Sequence, residues 1–430
     1  MSFSEWKEVK LGDVAEVLSG YAFKTKDFVE EGIPVVKIKN IVPPIVDIGD
    51  TQYVSEELYK EKIKYGLKYN DILISMTGSH INQLASAVGK IGRVKLVDQK
   101  LLLNQRVGKL YVKDLAKCNQ EYLYYFLTQD NIRYDLAASA GGSANQANIS
   151  PQNIRDIDIL LPPLEEQKAI ANMLSSLDEK IELNNQMNNI LEEMAQALFK
   201  RWFVDFEFPN EDGEPYKSSG GEMVDSELGM IPRGWEVTTI GMLGRIVTGK
   251  TPSTKDIQNF GEEFNFITPR DINGNTFIQQ TERKLSAQGA SKIKTYKVKP
   301  YSIGVSCIGS NLGEVYVTDE VAFTNQQINT LELKEIEKYP YMYILLKNMK
   351  ADFKNIAGGS AIPIINKTSF SNITVLIPQG IIMDEFNKSV WYFLEQIKEK
   401  LKENSKLIQI RDTLLPKLMS GEIRVTDLQS

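Results

Sequence analysis

Residues 163–208 read PLEEQKAIANMLSSLDEKIELNNQMNNILEEMAQALFKRWFVDFEF. Alternating steps of four and three from Ile170 meet Leu174, Leu177, Ile181, Asn184, Asn188, Leu191, Ala195, Leu198 and Trp202. That spacing marks a narrow apolar seam, the signature of a coiled coil. Two asparagines interrupt the seam near its middle. A buried asparagine seeks a polar partner across the interface and so sets register.

A partner for this helix lies in the same chain. Phe386, Val390, Phe393, Ile397, Lys400, Asn404, Leu407, Arg411, Leu414 and Leu418 repeat the seam, displaced by 216 residues. In an antiparallel pair, Asn184 and Asn188 fall opposite Asn404 and Lys400, polar against polar. The alternative is two unrelated amphipathic helices packed on separate domains. Pro416 conflicts locally, because an interior proline removes a helix hydrogen bond. A kink or an end near Leu414 is therefore expected.

Outward from the first helix, a second repeat appears. Trp6 to Gly20 matches Trp235 to Gly249, Ile63-Lys64 matches Ile293-Lys294, and Ser75 to Ser79 matches Ser306 to Ser310. Asn104-Gln105 matches Asn325-Gln326, Tyr122 to Leu127 matches Tyr341 to Leu346, and AGGSA recurs at 140–144 and 357–361. Ile157 to Pro162 matches Ile373 to Pro378, and a long helix follows each. The fold class expected is α+β: two similar mixed α/β domains, each followed by a long helix, with the helices pairing antiparallel. The expected boundaries are 1–162 and 235–380 for the domains and 163–208 and 381–421 for the helices. Residues 209–234 read as a linking loop rich in Gly, Pro, Ser and acids, and 422–430 as a tail. Val35 to Lys39, Ile72 to Ile74, Val107 to Val112 and Ile157 to Leu161 read as strands, and Glu121 to Gln129 as a short helix.

The chain of 430 residues is 42% hydrophobic and carries a net charge of −6. The charge is unevenly spread. Residues 162–230 hold 15 acids and 5 bases, whereas 60–113 hold 11 bases and 3 acids. Basic stretches inside the domains are the footprint of phosphate contacts; a solvated lysine-rich face is the plainer alternative. Met1 to Lys10 is charged, so no signal peptide is expected, and no stretch suits a membrane span. Cys118 and Cys307, far apart, suggest reduced thiols and a cytoplasmic protein. His80 is the single histidine, which disfavours a histidine triad or a multi-histidine metal site; no metal is expected.

Gly244 to Thr251, GRIVTGKT, fits the phosphate-loop pattern letter for letter. Such a loop needs a helix N-terminus after it. Pro252-Ser253-Thr254 follows instead, and Ile246-Val247 between the glycines matches Val17-Leu18 of the other repeat. Lys250 and Thr251 are expected in a surface loop. No dinucleotide fingerprint and no Asn-Pro-Pro-aromatic tetrad is present, so the chain reads as a binder with no catalytic residues.

With PLEEQKAI opening the first helix, LFKRWFVDFEFP closing it, IPRGWEV opening the second domain and LLPKLMSGEIRV near the end, the whole chain resembles the specificity subunit of type I restriction–modification enzymes. The resemblance implies two target-recognition domains that each read half of a split site on double-stranded DNA. It implies that the coil docks two methyltransferase subunits, which use S-adenosylmethionine, and that ATP/Mg-dependent restriction (translocase) subunits join them. This chain itself is expected to bind no cofactor. The matched polar loops supply the DNA-binding candidates: Tyr21, Lys24 and Lys26 with Lys250, Thr251, Thr254 and Lys255; Lys37, Lys39 and Asn40 with Thr268, Arg270 and Asp271. Thr77, Ser79, His80, Asn82 and Gln83 with Ser310 and Asn311, and Asn145 with Gln146, complete the set. Lys and Arg suit guanine or phosphate, and Asn and Gln suit adenine. Asn104-Gln105 and Asn325-Gln326 stand open as readers or as structural turns. Two other functions compete: a free-standing two-headed DNA-binding regulator, and a nucleotide-binding protein resting on Lys250.

Overall fold

The two repeats fold onto the same sheet plan. In a computed structural model, which describes residues 6–79, 88–143, 146–358 and 363–428, the chain forms two compact units. Unit 1 is Met1–Glu179 with Leu407–Ser430, and unit 2 is Lys180–Lys406.

In unit 1, a six-stranded sheet runs in the order Ala15–Ser19, Val107–Val112, Ile72–Ser75, Ile91–Arg93, Ile45–Val46, Ile41–Val42. Unit 2 has a five-stranded counterpart: Gly244–Thr248, Ile328–Leu333, Ile303–Ser306, Val315–Thr318, Phe277–Ile278. The inner strands are short, apolar and β-branched, and are buried along their length, as strands covered on both faces must be. A smaller sheet accompanies each: Phe28–Val29, Gln52–Val54, Ile33–Val36, Leu101–Leu103, Gly66–Leu67 in unit 1, and Phe260–Gly261, Lys284–Leu285, Phe264–Ile267, Ala322–Thr324 in unit 2. Each unit closes on itself. Lys7–Lys10 pairs with Asp158–Leu161, and Glu236–Thr239 pairs with Thr374–Ile377, antiparallel in both cases.

The anchor helix Gln120–Leu127 starts where Asn119 accepts from Tyr122 N. Its Tyr122 and Tyr125 are buried among Ile170, Leu174 and Leu418 of the long helices. In unit 2 the equivalent helix Tyr339–Asn348 packs Tyr341 and Ile344 against Phe199, Phe386 and Val390.

The long helices are Leu164–Phe199 and Gly380–Ser420. They run antiparallel in both units. In unit 1 Glu166 meets Arg424 and Asp178 meets Arg411; in unit 2 Asn184 meets Asn404 and Phe199 meets Phe386. Every expected seam residue is buried or half-buried. Asn184 Nδ2 donates to Asn404 Oδ1 at 2.8 Å. Asn188 is also buried, but its amide bonds to no group among the described residues, so the expected Asn188–Lys400 contact does not form as a hydrogen bond.

Three expectations are corrected. The second helix continues through Pro416 to Ser420: Leu418 and Met419, beyond the proline, are buried in the core of unit 1, and that burial outweighs one lost bond. The first helix ends earlier than Phe208, in a π-helical turn Lys200–Val204. Phe206 beyond it adopts φ 60°, and Phe206 and Phe208 pack on Trp235. Residues 209–234 are not simply a loop. Met223–Ser226 and Gly229–Pro232 form a hairpin, and Tyr216 stacks on Phe208 at 4.5 Å.

Candidate nucleic-acid interface

One edge of each unit is built from the same backbone frame. Tyr21 N donates to Leu103 O at 2.8 Å, and Lys250 N to Thr324 O at 2.9 Å. Asn104 N donates to Val36 O, and Asn325 N to Ile267 O. The chain crosses so closely that a Cβ on Gly20 would stand 2.3 Å from Leu103 O, and one on Gly249 2.2 Å from Thr324 O. Both positions therefore require glycine. That explains Gly249 of the phosphate-loop pattern without any phosphate. Gly244–Thr248 is a strand with Ile246 and Val247 buried, and an irregular segment without a helix N-terminus follows it, so the nucleotide-loop reading does not hold.

The frame equates residues across the units. Lys37 N donates to Asn40 Oδ1 at 2.9 Å as Thr268 N donates to Asp271 Oδ2 at 2.8 Å. Ser55 caps the helix Glu56–Glu61 as Ser286 caps Ala287–Lys292, each accepting from a backbone N–H three residues on. Counting from these caps pairs Gln52 with Arg283 and Tyr65 with Tyr296. It also shows the Ile63-Lys64 match to be one residue out: the turn Ile63–Tyr65 corresponds to Lys294–Tyr296. Asn104 Oδ1 accepts from Arg106 N, and Asn325 Oδ1 from Gln327 N at 3.0 Å, so both asparagines are turn-formers.

The equivalent positions carry different chemistry. Unit 1 places Tyr21, Lys37, Lys39, Gln52 and Arg106 where unit 2 places Lys250, Thr268, Arg270, Arg283 and Gln327. Tyr21 packs on Tyr65 at 5.6 Å with Lys62 Nζ 4.6 Å over its ring, whereas Lys250 Nζ lies 5.5 Å over Tyr296. Lys37 Nζ donates to Gln52 Oε1 and sits over Phe28. Burial, then the charge of Lys39, lowers the Lys37 pKa. Lys39 pairs with Asp50 at 2.7 Å. Two edges of one design, differing in side chains, are suited to two different nucleic-acid sequences.

A family model described as the type I restriction modification DNA specificity domain matches residues 3–193 and 232–411. The chain belongs to the type I restriction–modification specificity subunits. It is 29% identical to the type I restriction enzyme HindI specificity subunit of Haemophilus influenzae, covering 98% of this chain and 100% of that one. It is 28% identical to the MjaIX specificity subunit of Methanocaldococcus jannaschii, over 99% and 95% of the two chains. The fold is shared with the type I S subunit of Mycoplasma genitalium at a TM-score of 0.56 and 18% identity, with 96% of each chain covered.

As a specificity subunit, the chain presents some of the sequence-expected residues and buries others. Asn40 is 2% exposed, and its Nδ2 donates to Asp47 O and Asp50 O, both at 2.9 Å; it clamps a loop and cannot read a base. Asp271 does the same in unit 2, taking Thr268 Oγ and N on one oxygen and Glu282 N on the other. Thr77 is 8% exposed and bonds Asn148 at 2.8 Å across a strand pair. Asn311 donates to Pro269 O, tying the Ser310 turn to the Thr268 loop. Lys24, Lys26, Thr254, Lys255, Arg270 and Ser310 are exposed, and Ser79 is half-buried. Thr251 Oγ1 donates to Gln326 Oε1. His80, Asn82, Gln83 and Asn145 lie outside the described residues, as does the side chain of Gln146.

In unit 2 an open concavity of about 360 Å³ gathers these loops; Thr251, Thr268, Arg270 and Asp271 line it together with Phe266, Arg283, Asn325 and Gln327. Arg283 and Gln327, with Gln52 and Arg106 in unit 1, escaped the sequence reading. The signal was present: Arg106 and Gln327 directly follow the matched Asn-Gln pairs, and Gln52 and Arg283 stand three residues before the matched serine caps.

Among the described residues no cluster suits a metal ion, and no helix is long and apolar enough to cross a membrane. Both cysteines are free and buried, and burial raises their thiol pKa, to about 12 for Cys118 and about 11 for Cys307.

Proposed function

We propose that this chain is the non-catalytic reader of its complex, recognising a split, asymmetric duplex DNA target with one half-site per unit. The observation that carries this reading is the repeated frame with unlike side chains: equal scaffolds present Tyr21, Lys37, Gln52 and Arg106 in one unit and Lys250, Thr268, Arg283 and Gln327 in the other. Two readers of different chemistry imply two different half-sites.

The long helices supply the docking surface for methyltransferase subunits. Leu183, Met187, Ile190 and Met194 recur on one face of the first helix at helical spacing and are 38–56% exposed. The 15 acids against 5 bases of residues 162–230 repel DNA and suit protein partners. S-adenosylmethionine belongs to those methyltransferase partners, and ATP/Mg to restriction subunits that join them. The complex works in the cytoplasm, where its DNA lies.

Affinity purification of the chain from its host tests the reading. Co-purified methyltransferase, and adenine methylation of a two-part motif dependent on this chain, are expected. Tight specific DNA binding by the chain with no partner would instead establish a free-standing regulator.

A further inference from the structure

At two equivalent positions the units hold the same two residue types in exchanged order: Gln52 and Arg106 in unit 1, Arg283 and Gln327 in unit 2. We propose that Arg106 and Arg283 each specify one guanine in the half-site their unit reads, with Gln52 and Gln327 as the neighbouring contact. The proposal rests on the DNA-recognition reading above and names the chemistry of its sites.

Four observations support it. First, the guanidiniums are available. Arg106 and Arg283 are exposed and form no ion pair among the described residues, whereas Lys37, Lys39 and Lys62 nearby are tied to Gln52, Asp50 and Glu61. Second, the carboxamides are pre-oriented. Gln52 Oε1 accepts from Lys37 Nζ, and Gln327 Oε1 accepts from Asn325 Nδ2 at 2.9 Å. With the oxygen held by the protein, each Nε2 is left to donate. In unit 2, where Arg283 and Gln327 line one concavity, a guanidinium beside an amide donor calls for an acceptor-rich ligand, and the major-groove edge of guanine, O6 with N7, is one that arginine meets with two bonds. Third, in unit 2 both side chains line the concavity whose wall includes Phe266. Arg283 lies 5.8 Å from the centre of the Phe260 ring, which limits its freedom before binding. Fourth, the exchange itself separates base from phosphate. The DNA backbone is the same in every sequence, so a phosphate contact gives no reason to swap the two residues. A reader of sequence gains a different half-site by doing so.

The test is methylation mapping of a genome in a host expressing the chain with its partner subunits, followed by binding of the purified complex to duplexes. The unmodified chain is expected to give a two-part motif with at least one guanine in each half. Arg283→Gln should relax or change that guanine in one half and leave the other half intact, and Arg106→Gln should do the converse. In binding, 7-deazaguanine at the mapped position removes N7 and should weaken the unmodified complex about five- to a hundredfold. Arg283→Ala, at an exposed position, should lose discrimination among the four bases there while still binding DNA. An unchanged motif with Arg283→Gln, or equal weakening on all sequences with a shallower salt dependence, would assign Arg283 to phosphate and overturn the proposal while leaving DNA recognition standing. A two-part motif lacking guanine in either half would overturn it too. No motif with the unmodified complex would remove the recognition reading and the proposal together.

Discussion

Asn184 of the first long helix and Asn404 of the second face each other inside the seam of the helical pair, and Asn184 Nδ2 donates to Asn404 Oδ1 over 2.8 Å. Each has a further partner: Asn184 Nδ2 also donates to Glu403 Oε2, and Asn404 Nδ2 donates to Asn185 Oδ1. Asn404→Leu deprives Asn184 of one partner and is expected to lower stability by about 1–2 kcal/mol, the cost of a buried polar group left short of bonds. Asn184→Leu with Asn404→Leu should recover that loss, because two apolar residues facing each other need no partner. Unfolding midpoints of the unmodified chain, both single variants and the double variant give the coupling. Additive losses would mean that the two amides do not act as a pair.

Asp178 and Arg411 join the helices within unit 1 at 2.9 Å, and Tyr125 OH donates to the same carboxylate at 2.7 Å. Their side chains are 29% and 23% exposed. Arg411→Ala should therefore cost about 1–2 kcal/mol, less than a fully buried broken pair. Asp178→Asn combined with Arg411→Ala should cost less than Arg411→Ala alone, since the half-buried Asp178 charge is then gone and Asp412, the other partner of Arg411, is exposed to water. Thermal unfolding of the unmodified chain and the two variants reads this directly.

Gly249 and Lys250 separate a structural crossing from a nucleotide loop. Gly249→Ala drives a Cβ to within 2.2 Å of Thr324 O and 2.3 Å of Asn325 O, and a loss of about 1–3 kcal/mol is expected from the overpacking. Lys250→Ala removes only a cation–ring contact and should cost less than about 1 kcal/mol. The isolated chain should hydrolyse no ATP; ATPase activity of the isolated chain that disappears with Lys250→Ala would revive the phosphate-loop reading.

Replacing residues 1–162 with the corresponding unit of a relative should change one half of the methylated motif and leave the other untouched. The junction follows the strand Asp158–Leu161, so that strand and its partner Lys7–Lys10 come from the same donor. A change in both halves would show that the units do not read independently.

The seam from Ile170 to Trp202, its counterpart from Phe386 to Leu418, the two-fold repeat and the facing asparagines were all legible in the sequence. Periodicity and repetition are local patterns, and burial of an apolar stripe leaves few other ways to fold it. Pro252 argues against a helix directly after Gly249, and the chain forms none there, so Lys250 stands outside a nucleotide site. Polar residues were less legible. Asn40, Thr77 and Asp271 look like readers in a string of letters, yet their partners are Asp47 and Asp50, Asn148, and Thr268 with Glu282. A carboxamide or carboxylate is a ligand or a clamp according to which backbone groups surround it, and only the tertiary fold decides that. The helix through Pro416 and the hairpin within 209–234 were likewise decided by tertiary packing, which overrides local propensity when enough apolar surface is buried. The meeting of Arg283 with Gln327 on one concavity required two distant strand ends to come to one edge. The sequence alone determined that there are two equivalent readers on paired helices; the fold decided which side chains each reader leaves free.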